Sequence, residues 1–185
     1  MAHLESEERQ RRQPPERLLT AIGVHPGWRL VDIGCGPGFY TLPAASLVQP
    51  GGRVLALDIE DSMLARVRER AAAAGVDNVE THRSEESRLP LPDGAADVAL
   101  VANVLHECAD RSAFLAEVRR VLVPGGRVAV VEWRKESMAM GPPLAERMAE
   151  DDVRQALVDA GFTVTAALDG DATGSTHFGL LAERP

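Results

Sequence analysis

Two cysteines in 185 residues, at positions 35 and 108, are too few for a disulfide scaffold and lack the short spacing of a zinc site. Such usage fits a reducing compartment, so a cytoplasmic location is expected and no metal site is. Aromatic residues are scarce at 4%, and Trp28, Trp133 and Tyr40 read as packing residues rather than stacking platforms. No stretch approaches the ~20 apolar residues of a membrane-spanning helix. The first residues are charged rather than basic-then-apolar, unlike a signal peptide. Lys and Arg number 20 against 28 Asp and Glu, for a formal net charge of -8. An acidic chain is a poor partner for nucleic acid or an anionic membrane surface. Internal repeats and low-complexity tracts are also missing, although Ala71 to Ala74 is a helix-favouring run.

What is present suits one well-buried domain, with 45% hydrophobic and 26% charged residues. The organising stretch is Leu30-Val31-Asp32-Ile33-Gly34-Cys35-Gly36-Pro37-Gly38, an apolar strand running into a glycine-rich turn. A second apolar strand, Arg53-Val54-Leu55-Ala56-Leu57-Asp58, ends on a carboxylate twenty residues after Gly38. Glycines at 34, 36 and 38 can take positive φ and let the backbone approach a ligand closely. Residues 39–48 continue as a short helix whose first amides face the same ligand. Asp58, at the end of the next parallel strand, is placed to accept two hydrogen bonds from ribose hydroxyls. Strand, turn, helix, strand and carboxylate together outline a nucleoside site, where a glycine triplet alone would be weak evidence.

Spacing separates two ligand classes. A dinucleotide turn reads G-x-G-x-x-G and holds a pyrophosphate, whereas Gly34-Cys35-Gly36-Pro37-Gly38 is G-x-G-x-G with Asp32 just before it. A carboxylate there repels a pyrophosphate and suits the ammonium of an amino-acid moiety. In these residues the chain resembles the class I S-adenosylmethionine-dependent methyltransferases, over residues 21–182. The resemblance implies a Rossmann-like, doubly wound α/β fold with a mostly parallel seven-stranded sheet and an antiparallel last strand. It implies S-adenosyl-L-methionine as methyl donor, with S-adenosyl-L-homocysteine as product. Residues 21–185 are then the methyltransferase domain, and residues 1–20 a helical N-terminal extension or lid.

The remaining pattern follows the chain. Residues 3–12 are densely charged, either a solvated extension or, as in related enzymes, a lid from which Arg9, Arg11 or Arg12 meets a substrate. Residues 15–22 read as a short helix begun by proline. From Asp61, the spacing Met63, Leu64, Val67, Ala71 predicts a helix capped by Asp61 or Ser62 and stopped at Gly75. A short third strand covers residues 79–82, and a polar loop follows over 84–94. There the resemblance places an acidic residue four positions before the pair Leu89-Pro90, namely Glu85, against an adenine amino group. The Glu86 amide would donate to a ring nitrogen. This chain has Ser84-Glu85 where the family more often has Gly-Asp.

Residues 96–102 are an apolar fourth strand, followed by Asn103-Val104-Leu105-His106-Glu107-Cys108. The family stretch commonly reads valine-leucine-histidine-histidine, so Leu105 and His106 keep the pattern and Glu107 alters it. Asn103 or its neighbours would floor the sulfonium pocket, with Ile59, Tyr40 and Cys35 also against the cofactor, Cys35 as a small apolar filler in the turn. His106 is either a general base or a histidine that caps or packs. Phe114, Leu115, Val118, Val121 and Leu122 mark a helix over residues 110–123, which Pro124-Gly125-Gly126 ends. The whole run from Glu117 to Arg127 is similar to the family's second signature. A fifth strand is expected at 127–133, then a long loop at 134–143 that forms a substrate wall containing Met138 and Met140. A helix capped by Glu150-Asp151-Asp152 ends at Gly161. Residues 162–168 and 178–183 form an antiparallel pair across a loop at 169–176. His177 is either an edge-strand residue or one that approaches the site.

The expected activity is methyl transfer to a small-molecule acceptor by in-line displacement, closest to the ubiquinone/menaquinone-biosynthesis type. Two other classes compete: a catalytically silent S-adenosylmethionine-binding module acting through a protein partner, and a nicotinamide-dependent oxidoreductase. Monomer and homodimer stay open.

Overall fold

The computed structural model describes residues 13–168 and 170–185. The charged segment at 3–12, with the expected lid arginines Arg9, Arg11 and Arg12, lies outside the described residues.

The chain forms α1 (Pro15–Ala21), β1 (Arg29–Ile33), α2 (Thr41–Leu47), β2 (Arg53–Asp58), α3 (Asp61–Ala73) and β3 (Val79–Arg83). It continues through β4 (Ala96–Ala102), a 3-10 turn (Leu105–Glu107), α4 (Arg111–Val121) and β5 (Leu122–Trp133). Last come α5 (Glu150–Asp159), β6 (Thr163–Leu168), α6 (Gly170–Thr173) and β7 (His177–Glu183). The seven strands make one sheet in the order β3-β2-β1-β4-β5-β7-β6. Neighbours pair in parallel except β7, which runs antiparallel to both β5 and β6. The chain works outward from β1 to β3, then returns to place β4 on the other side of β1. That reversal parts the loops above β1 and β4 and opens a crevice at their C-terminal ends.

Apolar runs rather than alternation are what such a sheet requires, because helices cover both faces. Leu30, Val54, Val98, Leu100 and Val131 pack with Leu18, Leu19 and Ile22 of the α1 segment and Ala44, Ala45 and Val48 of the α2 segment. Val31, Ile33, Leu57, Val101 and Val130 pack on the opposite face with Phe114, Leu115 and Val118 of α4 and Val153 and Leu157 of α5. Truncating one such leucine to alanine costs about 2–5 kcal/mol. Because Leu18 and Leu19 are fully buried, α1 is part of this body and spans the boundary expected at residues 20 and 21.

Several expectations are corrected. The fifth strand starts at Leu122, not Arg127: Leu122 pairs with Ala96, the register then slips, and Arg127 pairs with Val98. Pro124-Gly125-Gly126 is looped out inside the strand, and Arg184 exchanges backbone hydrogen bonds with Gly125 and Gly126 at 2.7 and 2.8 Å. The second helix starts at Thr41 rather than residue 39, because Phe39 and Tyr40 are buried in the preceding turn. Glu60, not Asp61 or Ser62, is the cap position of α3, and its own side chain makes no cap bond. The loop after β6 contains α6, whose Thr173 Oγ1 donates to the His177 carbonyl at 3.1 Å. Asp110 caps α4 by accepting from the Ala113 amide at 2.9 Å.

Candidate functional site

Gly34, Gly36 and Gly38 all have positive φ, at 69, 52 and 88°, so the turn after β1 needs glycine at each. The Gly34 and Cys35 amides both donate to the Leu57 carbonyl, at 2.8 and 2.9 Å, which curls the turn over the end of β2. There the Asp58 carboxylate accepts from the Gly36 amide at 2.8 Å through one oxygen and from the Glu60 amide at 2.9 Å through the other. Asp58 thus braces the turn and supplies the start of α3 with the acceptor that Glu60 lacks. Arg70 reaches from α3 to the Pro37 carbonyl at 2.7 Å and holds the turn from outside.

Above this turn lies a cavity of about 380 Å³, at the small end of ligand pockets and enough for one nucleoside-sized molecule. Asp32, Gly34, Cys35, Gly36, Tyr40, Asp58, Ile59, Glu85, Glu86 and Asn103, all nominated from the sequence, line it. Gly38 does not: a Cβ there would meet Val67 Cγ2 at 3.3 Å, so this glycine serves packing against α3. At Gly36 an added Cβ would meet nothing within 4 Å, so its backbone is open to a ligand. At Gly34 it would lie 2.3 Å from Val104 Cγ2, so the turn and the loop after β4 close on each other.

The walls are acidic. Asp32 is buried and accepts from Thr41 Oγ1 at 2.6 Å. Glu85 is fixed by a small two-residue ladder, its amide donating to the Arg88 carbonyl at 3.1 Å. The Glu86 carboxylate accepts from the Ala109 amide and so ties the loop after β3 to the loop after β4. Among the described residues that line the cavity there is no Lys, Arg or His.

His106 is not on the wall. The 3-10 turn points its ring inward, where Nδ1 donates to Glu132 Oε2 at 2.7 Å and its amide to Oε1 at 3.3 Å. Burial favours the neutral ring, but the hydrogen bond and charge of Glu132, with the charges of Glu107 and Glu146, outweigh it and raise the pKa above the usual histidine value. His106 is therefore paired with a buried carboxylate, and its neighbour Glu107 lines the cavity instead. His177 stacks on Trp133 at 4.1 Å and bonds Thr176 Oγ1 through Nδ1 at 2.8 Å. It too lies off the wall. The segment after β5, with Met138 and Met140, makes no part of the cavity lining; it folds around Arg147 instead.

Sequence reasoning missed Met63, Val104, Glu107, Cys108 and Phe114, which line the cavity along with Ile33, Pro37, Phe39, Ser84 and Ala102. Met63 and Phe114 sat in helical periodicity that reads as core. Burial and the surrounding carboxylates raise both thiols, Cys108 to about 12, so neither cysteine is poised as a nucleophile.

A family model described as "Methyltransferase domain" matches residues 31–130. A structure of a SAM-dependent methyltransferase from Aquifex aeolicus aligns over 99% of this chain and 96% of its own, with TM-score 0.93 and 33% identity. A type 11 methyltransferase structure from Sulfolobus solfataricus aligns over 94% and 92%, with TM-score 0.74 and 31% identity. Among curated sequences, the ubiquinone/menaquinone biosynthesis C-methyltransferase UbiE of Ectopseudomonas mendocina is 41% identical over 118 residues, 63% of this chain and 46% of the relative. The matched segment spans less than half the length of such curated relatives.

Proposed function

This chain belongs to the S-adenosylmethionine-dependent methyltransferase family, and we propose that its cavity binds S-adenosylmethionine and that the protein transfers the methyl group to a small organic acceptor. When bound, that cofactor supplies a methyl group already activated by a positive sulfur. The chain's residues have only to bind, align and exclude water.

The donor set of the cavity fits the cofactor. Each Asp58 oxygen holds one backbone amide and keeps a lone pair for a ribose hydroxyl. Glu85 faces the adenine amino group. Asp32 serves the ammonium end and Tyr40 the methionine chain, Asn103 floors the sulfonium pocket, and Ile59 covers the base. The open backbone at Gly36 lets the ligand lie against the turn. The observation that carries the reading is a nucleoside-sized cavity lined by Asp32, Asp58, Glu85, Glu86 and Glu107 with no basic side chain among the described residues: it suits a cationic nucleoside and repels a pyrophosphate. A nicotinamide-dependent reaction is for the same reason not favoured.

Isothermal titration with S-adenosylmethionine, S-adenosylhomocysteine and NADH tests this. Micromolar binding of the first two and none of the third is expected. A folded protein that binds neither adenosyl ligand would remove the proposal.

A further inference from the structure

We propose that Glu107 faces the methyl acceptor and takes up its proton, and that the acceptor enters as a hydrogen-bond donor of zero or positive charge, not as an anion. This rests on the methyltransferase reading of the same cavity.

The cavity carboxylates divide by what already engages them. Asp32 is held by Thr41, Asp58 by the Gly36 and Glu60 amides, and Glu86 by the Ala109 amide. Glu85 is the one placed for the adenine. Glu107 is left: it lines the cavity, its side chain is 74% exposed, and its carboxylate lies 3.8 Å from His106 Nε2. It stands at the mouth, with a direct path for a proton to solvent. Beneath it His106 bridges to the buried Glu132, which fixes the turn that carries Glu107; His106 is a positioning residue.

A second observation points the same way. Asn103, on the same wall, has φ 61° and a buried Oδ1 with no hydrogen-bond partner among the described residues. A buried acceptor atom left open is costly unless a ligand supplies a donor. Glu107 and Asn103 Oδ1 therefore both ask for an X–H group, and among the described residues no lining cation answers a carboxylate or phosphate.

In the transfer, a lone pair on the acceptor atom forms the bond to the methyl carbon as the carbon–sulfur pair withdraws onto sulfur. A sulfonium and a neutral X–H thus give a neutral thioether, a methylated product and one proton, which passes to Glu107 and on to solvent.

The test uses catechol, dopamine and 3,4-dihydroxyphenylacetate, which share a ring and two hydroxyls and differ in charge. Calorimetry first establishes S-adenosylhomocysteine binding; failure there sinks the parent reading and not this one alone. With the loaded protein, catechol and dopamine should bind at least about tenfold more tightly than the acid, and E107K should reverse that order. With S-adenosylmethionine, E107Q should lose about 100-fold or more in kcat while its cofactor Kd stays within about twofold. Formate should restore part of the activity of E107A, which a purely structural role would not allow. Preference of the loaded wild type for the acid, an unchanged order in E107K, full activity in E107Q, or no binding of any of the three compounds would overturn the proposal.

Discussion

The Asp58 carboxylate grips the Gly36 amide at 2.8 Å, so the residue proposed to receive a ribose also holds the shape of the turn beside it. Binding and architecture are coupled in one side chain. Asp58→Ala removes both roles and should weaken S-adenosylmethionine binding by about 10- to 100-fold while lowering stability by about 1–2 kcal/mol. Asp58→Asn keeps one acceptor oxygen and should fall between. Calorimetry and urea denaturation on the three proteins separate the two effects. Unchanged affinity in the alanine variant would place the ribose elsewhere.

Gly34 meets two constraints at once, with φ at 69° and Val104 Cγ2 at 2.3 Å from where a Cβ would stand. Gly34→Ala should cost roughly 2–4 kcal/mol, part left-handed strain and part overpacking. Adding Val104→Ala should relieve the clash and leave the strain, so the double variant should regain only part of the loss by thermal melting. Full recovery would mean that the backbone strain is negligible.

The raised pKa of His106, faced by Glu132, Glu107 and Glu146, makes folding depend on pH. A group whose folded pKa lies above its unfolded value stabilises fully below the unfolded value, about 6.5 for histidine, and loses that contribution as pH rises through the folded one. Urea denaturation of the wild type should therefore show a stability component present in mild acid and lost toward alkaline pH. In His106→Gln that component should be absent. Parallel pH profiles for the two proteins would contradict the assignment.

Arg147 is 5% exposed and donates to the carbonyls of Arg134, Glu136, Met140 and Pro142 at 3.2, 2.8, 2.7 and 2.9 Å, with its guanidinium 5.7 Å from the Trp133 ring. One side chain replaces the secondary structure that this segment lacks. Arg147→Met should cost about 2–3 kcal/mol and speed amide exchange across residues 134–147, with cofactor affinity unchanged. Arg147→Lys keeps the charge and loses the planar fork, so it should rescue little. Exchange at the wild-type rate in the methionine variant would show that the segment is held by something else.

The sheet was legible because each central strand is an apolar run bounded by glycine, proline or charge; residues 53–58 and 96–102 fall at the expected bounds. What local pattern misjudged was decided by distant partners. Pro124-Gly125-Gly126 has the chemistry of a helix stop, yet Ala96 draws Leu122 into the sheet and Arg184 takes up the looped-out backbone. Glycine spacing and a following carboxylate identified the floor of the cavity. The choice between His106 and Glu107 was not readable, because one turn of 3-10 helix sets which side chain faces the wall and a buried Glu132, in a strand 26 residues further on, draws the histidine inward.

The place of β7 sets the order in which this sheet can be finished. It is the last of the seven strands to leave a ribosome, yet it lies between β5 and β6. Until residues 177–183 emerge, β5 presents a bare edge and β6 has no neighbour to join, since its pairing runs through β7 alone. The nucleoside-binding half, β1 to β4, can pair as it is made. The sheet therefore closes only once β7 has been made, and in the interval β5 is an edge open to pairing with another chain.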